Sequence, residues 1–299
     1  MKRPAVLVFG EIIWDVYPDR SCIGGAPLNF AAHFVRQGGR AGLLSAVGRD
    51  ALGAPALNFL AENGVDTRFV GQTDYPTGRC DVTLSEAGIP SYYVVPDVAY
   101  DHIPADPSLP EAVREAGYDV LCFGTLAQRG ESRAALELFL EKGSFRHIFC
   151  DVNLRPDCYD AGSVDNCLSY ATLLKISDEE EPLLRQVAGY LPEGAPLEDA
   201  PDVLFASHPQ LEAVILTQGA EGATLYRRDA APLSIPAAPA RVVSTVGAGD
   251  SFGAAWLYHY LSGDGPLACL EAAAKRAAFV VGHSEAVPGE PCAVQSPVS

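Results

Sequence analysis

A turn of small residues that ends in an aspartate, Gly247-Ala248-Gly249-Asp250, stands directly before residues 251–261, where aromatic side chains recur at roughly helical spacing. Small residues at a helix N-terminus leave backbone N–H groups exposed, and the partial positive charge there favours phosphate oxygens. Asp250 has the chemistry of a general base that draws a proton from an alcohol attacking a γ-phosphorus. Aspartate is also a favoured helix N-cap, and the turn by itself favours that structural role.

A second group of small and polar residues lies near the N-terminus. Gly24, Gly25 and Asn29 fall between an extended segment and a helix, and Asp15 precedes them. Paired glycines allow close backbone approach, and Asp15 and Asn29 offer the acceptors and donors that sugar hydroxyls need. Taken alone, the glycine pair is only a turn.

The elements that must position these residues are indicated by short apolar runs that alternate with helical patterns. This alternation predicts an α/β fold with parallel strands covered by helices on both faces. The predicted strands are residues 6–9, 43–47, 119–123, 147–150, 173–176 and 213–217. The predicted helices are residues 27–37, 51–63, 131–142, 179–187, 251–261 and 266–281.

Residues 67–101 break the alternation. Two alternating segments, 79–85 and 91–95, are joined by Glu86-Ala87-Gly88 and predict a hairpin. With residues 12–17 this hairpin could form a small separate sheet, and an edge extension of the main sheet fits the periodicity equally well. Residues 189–201 are interpreted as a surface loop.

Absent motifs, the net charge and the cysteine spacing disfavour several classes of function. The motif Gly-x-x-x-x-Gly-Lys-Ser/Thr is absent, and no Gly-x-Gly-x-x-Gly follows the first strand, which disfavours P-loop proteins and NAD dehydrogenases. A formal net charge of -17 disfavours nucleic acid and anionic membrane surfaces as partners. The 8 cysteines show no zinc-like spacing and are interpreted as free thiols. We therefore expect a cytoplasmic protein without a signal peptide or membrane span.

The chain resembles the ribokinase-like (PfkB) carbohydrate kinase family, because motifs matching that family run from end to end in the expected order. These motifs are Gly24-Gly25-Ala26-Pro27-x-Asn29, Val47-Gly48-Arg49-Asp50-x-x-Gly53, Gly64-Val65-Asp66-Thr67, Pro76-Thr77-Gly78, Val98-Ala99-Tyr100-Asp101, Gly124-Thr125-Leu126-Ala127-Gln128-Arg129, Asp151-Val152-Asn153-Leu154-Arg155, Thr217-Gln218-Gly219-x-x-Gly222 and the turn at Asp250. Within the family, residues 10–15, Ala26-Pro27 and residues 124–129 most resemble bacterial fructokinases.

The resemblance implies one kinase domain over residues 1–299, with a doubly wound, mainly parallel sheet and a small β-sheet lid. The lid would comprise about residues 12–23 and 67–101, and lids of this family often pair into homodimers. The implied activity is transfer of the γ-phosphoryl of ATP, with Mg²⁺, to the primary hydroxyl of a small sugar, with fructose the leading acceptor. Ribose, 2-keto-3-deoxygluconate or a nucleoside are alternative acceptors, and a non-catalytic sugar-binding regulator is an alternative of another class.

The resemblance also assigns roles to residues. Asp250 would be the base, with Gly247, Ala248 and Gly249 around the phosphate and Arg155 beside the sugar and the transferred group. The sugar would be held by Asp15, Gly24, Gly25, Asn29 and Tyr92. The nucleotide would be bound by Thr217, Gly219, Gly222, Lys175 and Ser177, and Glu180 would organise Mg²⁺ through water. The structural alternatives are a surface ion pair for Arg155 and helix-start charge for Glu180.

Three positions depart from the family pattern. Ser244 replaces an aspartate that commonly helps shape a monovalent-cation site, so the sequence leaves K⁺ activation open. Ser177 replaces an asparagine that usually helps order phosphate or Mg²⁺-bound water. Glu285 replaces a glycine near the adenine and cation region.

Overall fold

The computed structural model describes residues 3–84, 90–192 and 194–289. The strands in these ranges are β1 (Ala5–Phe9), β2 (Ile13–Val16), β3 (Ser21–Gly24), β4 (Arg40–Gly48), β5 (Val70–Thr73), β6 (Gly78–Leu84), β7 (Pro90–Val94), β8 (Val120–Phe123), β9 (His147–Asp151), β10 (Leu173–Ser177), β11 (Ala213–Thr217), β12 (Ala223–Arg227) and β13 (Ala230–Ile235). The α-helices are α1 (Ala26–Arg36), α2 (Gly53–Glu62), α3 (Leu109–Glu115), α4 (Gly130–Lys142), α5 (Ala161–Tyr170), α6 (Glu181–Ala188), α7 (Ala200–Ser207), α8 (Ala248–Ser262) and α9 (Pro266–Val281).

The large sheet has nine strands in the order β13-β12-β11-β10-β9-β8-β1-β4-β5. Its strands from β11 to β5 run parallel, and β12 and β13 are added antiparallel at one edge. The chain moves outward from β1 through β4 to β5 and then returns to the other side of β1 with β8. The strand order therefore reverses between β1 and β8, which is where doubly wound sheets bind ligands.

Burial on both faces explains why the strands read as continuous apolar runs. Along β1, Leu7 and Phe9 join one core cluster, whereas Val6 and Val8 join the other. Helices α3 to α7 contribute to the first cluster, and α1, α2, α8 and α9 to the second. The predicted α/β architecture with helices on both faces is confirmed.

A separate four-stranded sheet, in the order β3-β2-β6-β7, forms beside the large one. Strands β2 and β6 are parallel, and the two outer pairings are antiparallel. Of the two predicted alternatives, the separate small sheet is confirmed and the edge extension of the large sheet is wrong. The expected lid stretch 67–101 is too wide, however, because Val70–Thr73 pairs with β4 of the large sheet. The predicted hairpin connection at residues 86–88 lies outside the described residues.

Three helices, α3, α5 and α7, were not predicted. They are short, at 7, 10 and 8 residues, so little periodicity accumulates along them. Helix α5 does carry a readable signal, because Asp160 and Ser163 form a reciprocal capping box at its start. Helix α7 begins inside the predicted loop 189–201. In the part of the chain that the structure describes, no helix has the length and apolarity to cross a membrane.

Candidate active site

A small cleft that opens to solvent lies at the reversal point between β1 and β8. The residues that line it follow the carboxyl ends of the parallel strands or begin α1 and α8; they include Glu11, Pro27, Gly124, Thr125, Asp151, Asn153 and Asp250. Of the predicted site residues, Asp250 lines this cleft, together with Ala26 and Pro27 at the start of α1.

Asp250 is held at the start of α8 by a contact with Asn29. Gly247 is the N-cap of this helix, with φ of 78°, so Asp250 is its third residue and not its cap. Its Oδ2 accepts a hydrogen bond of 2.8 Å from Nδ2 of Asn29. A side chain at Gly247 would place Cβ only 2.8 Å from Cβ of Ala286. Asp250 is therefore not the N-cap of α8, and the alternative role as a cap is wrong.

The groups around Asp250 shift the pKa of its carboxyl group. Enclosure by protein raises the pKa of this carboxyl, although part of it remains accessible from the cleft. The hydrogen bond from Asn29 and the positive charges of Lys175 and Arg155 act in the opposite direction, while Glu180 raises the pKa further. A carboxylate with a raised pKa is a stronger general base than an ordinary aspartate.

Asn29 is left with one unused acceptor. The residue is 4% exposed, and its Oδ1 has no hydrogen-bond partner among the described residues. Because a carboxylate can only accept, the amide nitrogen must face Asp250 and the oxygen must face elsewhere. A buried polar atom without a partner is rare, and a substrate hydroxyl would satisfy it.

The glycine pair and Asp15 lie where the small sheet joins α1. Gly25 has φ of 106°, and a Cβ there would lie 2.7 Å from the carbonyl oxygen of Glu11. A Cβ on Gly24 would lie 3.9 Å from Oδ2 of Asp15. Burial raises the pKa of Asp15, whereas Arg155 and a hydrogen bond with Cys80 lower it. A side chain at Gly25 would thus displace the entry to α1, whereas a Cβ at Gly24 would make only an ordinary van der Waals contact with Asp15.

Tyr92 shares a face of the small sheet with Asp15. Asp15 lies opposite Cys80, and Val82, two residues further along β6, lies opposite Tyr92. Side chains at directly opposed or alternate positions point to the same face. Tyr92 is 54% exposed on that face, whereas Tyr93 points to the other.

Arg155 is exposed and is not paired with a carboxylate. No Asp or Glu oxygen of the described residues lies within 4.0 Å of its guanidinium, so the predicted surface ion pair is not present there. Its positive charge nevertheless lowers the pKa of each of three carboxyl groups, those of Glu11, Asp15 and Asp250. Arg155 is thus a cation that faces three carboxyl groups without being neutralised by one.

Lys175 lies beneath the turn and not in open contact with the cleft. Its Nζ is 2.8 Å from Oδ1 of Asp151, and the two residues are 5% and 8% exposed. A Cβ on Gly249 would lie 3.3 Å from that Nζ. Burial raises the pKa of Asp151 to about 6, and Lys175 opposes that rise. The ammonium of Lys175, paired with Asp151, therefore lies directly under Gly249 in the predicted turn.

Glu180 and Ser177 bind each other at the end of β10. Ser177 donates its N–H to Oε2 of Glu180 at 2.9 Å, and its hydroxyl accepts from the N–H of Glu180 at 3.2 Å. Oε1 of Glu180 accepts from the N–H of Leu154 at 2.9 Å. The backbone N–H of Ser177 thus orients the carboxylate of Glu180, and its hydroxyl holds the backbone of that residue.

The predicted nucleotide turn follows β11, next to β10 in the sheet, where Ser177 and Thr217 are register partners. The two glycines of this turn have different structural roles. Gly219 has φ of 51°, and a Cβ there would meet no atom within 4 Å, so the backbone is open to a ligand. Gly222 has φ of 115°, and a Cβ would lie 2.0 Å from the carbonyl oxygen of Ile235, which gives it a packing role.

Four polar residues that line the cleft, Glu11, Thr125, Asp151 and Asn153, were not predicted as site residues. Glu11 is buried, accepts from the N–H of Ala26 at 3.2 Å, and has its pKa raised to about 7, mainly by burial. Asp151 is the last residue of β9 and Asn153 follows it, with φ of 44°, a strained value for a residue with a side chain. Their position directly after predicted parallel strands was the available signal.

Known proteins share this arrangement of sequence and fold. A family model described as pfkB family carbohydrate kinase matches residues 19–292. Fructokinase of Escherichia coli is 28% identical over 265 residues, which cover 83% of this chain and 81% of the relative. The 5-dehydro-2-deoxygluconokinase of Geobacillus thermodenitrificans is 26% identical over 284 residues, covering 89% and 81%. The crystal structure of an uncharacterized sugar kinase from Pyrococcus horikoshii in complex with ATP has a TM-score of 0.78 and 26% identity, and the match covers 94% of each chain.

The family match spans most of the chain and includes the contact between Asn29 and Asp250. This protein therefore belongs to the pfkB family of carbohydrate kinases.

Proposed function

We propose that this kinase transfers the γ-phosphoryl of ATP to the primary 6-hydroxyl of fructose. The observation that carries the proposal is the carboxylate of Asp250, held by Asn29 at the N-terminus of α8 on the floor of the cleft. The choice of fructose is supported by the similarity to the fructokinase of Escherichia coli. The complex of the Pyrococcus horikoshii relative supports ATP as the donor.

In this mechanism Asp250 takes the proton of the hydroxyl as its oxygen attacks the γ-phosphorus. The N–H groups of Gly249 and Asp250 have no acceptor among the described residues, and they point along the positive end of α8. The N–H of Ala248 already donates to the carbonyl oxygen of Thr245 at 3.2 Å. The transferring phosphoryl group would thus be stabilised by the N–H groups of Gly249 and Asp250, with the charge of Lys175 beneath them.

Mg²⁺ fits this site as an ion held mainly by phosphates and water. No cluster of three or more His, Cys, Asp or Glu within the described ranges could hold a metal by itself. Glu180 accepts one backbone N–H at each carboxylate oxygen and keeps further lone pairs for water. When bound, Mg²⁺ would neutralise phosphate charge.

The small sheet would act as the lid. Asp15 and Tyr92 on its inner face would contact the sugar, and closure would exclude water that otherwise competes as the phosphoryl acceptor. We also propose that two copies pair through this sheet, because Tyr93 on the outer face is 61% exposed. Light scattering should give the mass of a dimer for the parent and of a monomer for Tyr93→Glu, and a monomeric parent would rule the pairing out.

The acceptor is tested by assaying ATP consumption with fructose, ribose, 2-keto-3-deoxygluconate, 5-dehydro-2-deoxygluconate and a nucleoside. We expect kcat/KM for fructose to exceed that for each other acceptor by at least about tenfold, since one hydroxyl contact can change preference by that much. A higher value for another sugar would assign the kinase to that acceptor. Absence of turnover with all of them, together with measurable sugar binding, would favour the non-catalytic regulator.

Arg155 should control the pH at which activity is lost. Its charge lowers the pKa of Asp250, so Arg155→Met should raise that pKa and shift the acidic limb of kcat toward higher pH. Protonated Asp250 cannot accept the hydroxyl proton, which gives the shift its sign. Arg155→Lys retains the charge and should keep the limb near the parent position. An unmoved limb in Arg155→Met would show that the guanidinium does not act on the base.

A further inference from the structure

Several of the family motifs take no direct part in the cleft. They are Val47-Gly48-Arg49-Asp50-x-x-Gly53, Pro76-Thr77-Gly78, Val98-Ala99-Tyr100-Asp101 and the final residue of the segment ending in Arg129. In the structure they meet at the root of the small sheet, where β2, β6 and β7 leave or rejoin the large domain. They form two side-chain ties between the two sheets.

The first tie joins Asp50 to Thr77, the residue directly before β6. The carboxylate of Asp50 accepts from the N–H and the hydroxyl of Thr77, both at 2.7 Å. It also accepts from the N–H groups of Leu52 at 3.0 Å and Gly53 at 2.9 Å. Burial raises the pKa of Asp50, but these hydrogen bonds outweigh it and leave the pKa below its ordinary value. The tie is therefore charged at neutral pH.

The same turn also holds β2. Trp14 donates its indole N–H to the carbonyl oxygen of Leu52 at 3.1 Å, and it lies opposite Arg79 where β2 pairs with β6. Thr77, which is 2% exposed, accepts in addition the N–H of Gly48 at 2.9 Å. Both inner strands of the small sheet are thus fastened to residues 48–53 of the large domain.

The second tie fixes the exit of β7. Arg129, the N-cap of α4, donates to Oδ1 of Asp101 at 2.6 Å and to the hydroxyl of Tyr100 at 2.7 Å. The same guanidinium donates to the carbonyl oxygen of Val95, directly after β7, at 3.2 Å. Asp101 and Tyr100 are buried, so Tyr100 belongs to the core and not to the sugar-facing surface. A buried charge-assisted contact of this kind holds its geometry firmly.

We infer that Asp50–Thr77 and Arg129–Asp101 are positioning pairs that anchor the root of the small sheet and so place Asp15 for the sugar when the sheet closes over the cleft. Asp15 belongs to β2 and lies opposite Cys80 of β6, so a shift of the root of β6 displaces it. None of the four residues lines the cleft. The inference rests on the proposed lid role, because a sheet that closes over the acceptor must turn about an anchored root.

The test compares Thr77→Val and Arg129→Met with two controls. Thr77→Ser retains the hydroxyl, and Arg114→Met removes an exposed ion pair with Glu111 on α3. Hydrogen exchange is measured in each full-length variant, and KM is measured for ATP and for the best acceptor. We expect amides of β6 and β7 to exchange about tenfold faster in the two test variants, with β9 to β11 unchanged. KM for the acceptor should rise about tenfold while KM for ATP stays within about twofold.

Two outcomes would overturn the inference. Exchange in β6 and β7 that matches the parent would show that the ties do not hold the sheet. Faster exchange throughout the chain, with equal losses for both substrates, would show a general role in stability. Hydrogen exchange is measured without substrate, so it tests the positioning pairs independently of the acceptor. If the sheet loosens selectively but the enzyme prefers another sugar, the positioning pairs are supported and the choice of fructose is contradicted.

Discussion

Replacing Asp250 by asparagine is expected to lower kcat by about 10² to 10⁴, the usual value of a general base. Asparagine has the shape of aspartate, and its carbonyl can still accept from Nδ2 of Asn29, so the turn should keep its structure. It cannot take the proton of the attacking hydroxyl. KM for the sugar and for ATP should therefore stay within about threefold of the parent values. Steady-state kinetics with both substrates varied measure this effect.

The matched control is Asp202→Asn. Asp202 is the third residue of α7, as Asp250 is of α8, and it is exposed. This variant removes the same charge from the same position of a helix, so it reports the loss of the favourable contact with the helix dipole alone. It should keep the parent kcat. An Asp250→Asn variant with kcat within about threefold of the parent would remove Asp250 from the proton transfer.

The largest effect on stability is expected for Lys175→Met. This substitution leaves the carboxylate of Asp151 buried without its partner, and breaking a buried pair in this way typically costs about 3–5 kcal/mol. The double variant Lys175→Met with Asp151→Leu removes both charges and should recover most of that loss. Denaturant unfolding gives the free energy of unfolding for each variant.

An exposed pair of the same length provides the control. Arg79 and Asp81 are also 2.8 Å apart, with their side chains 49% and 38% exposed, so Arg79→Met should cost less than about 1 kcal/mol. Equal costs for Lys175→Met and Arg79→Met would show that burial does not govern the Lys175 pair. A double variant no more stable than Lys175→Met would show that the uncompensated charge is not the cause.

The framework of the site could be predicted from the sequence because local patterns determine it. Apolar runs such as Val6 to Phe9 predict parallel strands, since both faces of such strands are buried. The glycines before Asp250 predict a tight helix entry, which the φ of Gly247 confirms. What fixes Asp250, however, is Asn29, which lies 221 residues away in the chain. A contact of that separation depends on the whole topology and leaves no local pattern.

The same dependence on long-range contacts explains why some residues of the site were not predicted from the sequence. Glu11 carries no sign in the sequence that it will be buried beside Asp250, and the pairing of Lys175 with Asp151 is not visible in the sequence either. The predicted role of Lys175 in nucleotide binding stays a prediction. Strand β5 was not predicted, because it is only four residues long, and its residues therefore fell within the expected lid stretch. Roles for Thr217, Gly219 and Ser177 in nucleotide binding stay predictions.

Phosphoryl transfer from ATP to the 6-hydroxyl of fructose is tested most directly by the ³¹P spectrum of the product. The reaction is run with ATP and with fructose labelled with ¹³C at carbon 6. We predict a phosphate ester signal that is split by the labelled carbon, formed in step with ADP by the parent enzyme. An unsplit ester signal would place the phosphate on another hydroxyl, and ATP consumption with no ester signal would contradict sugar phosphorylation itself.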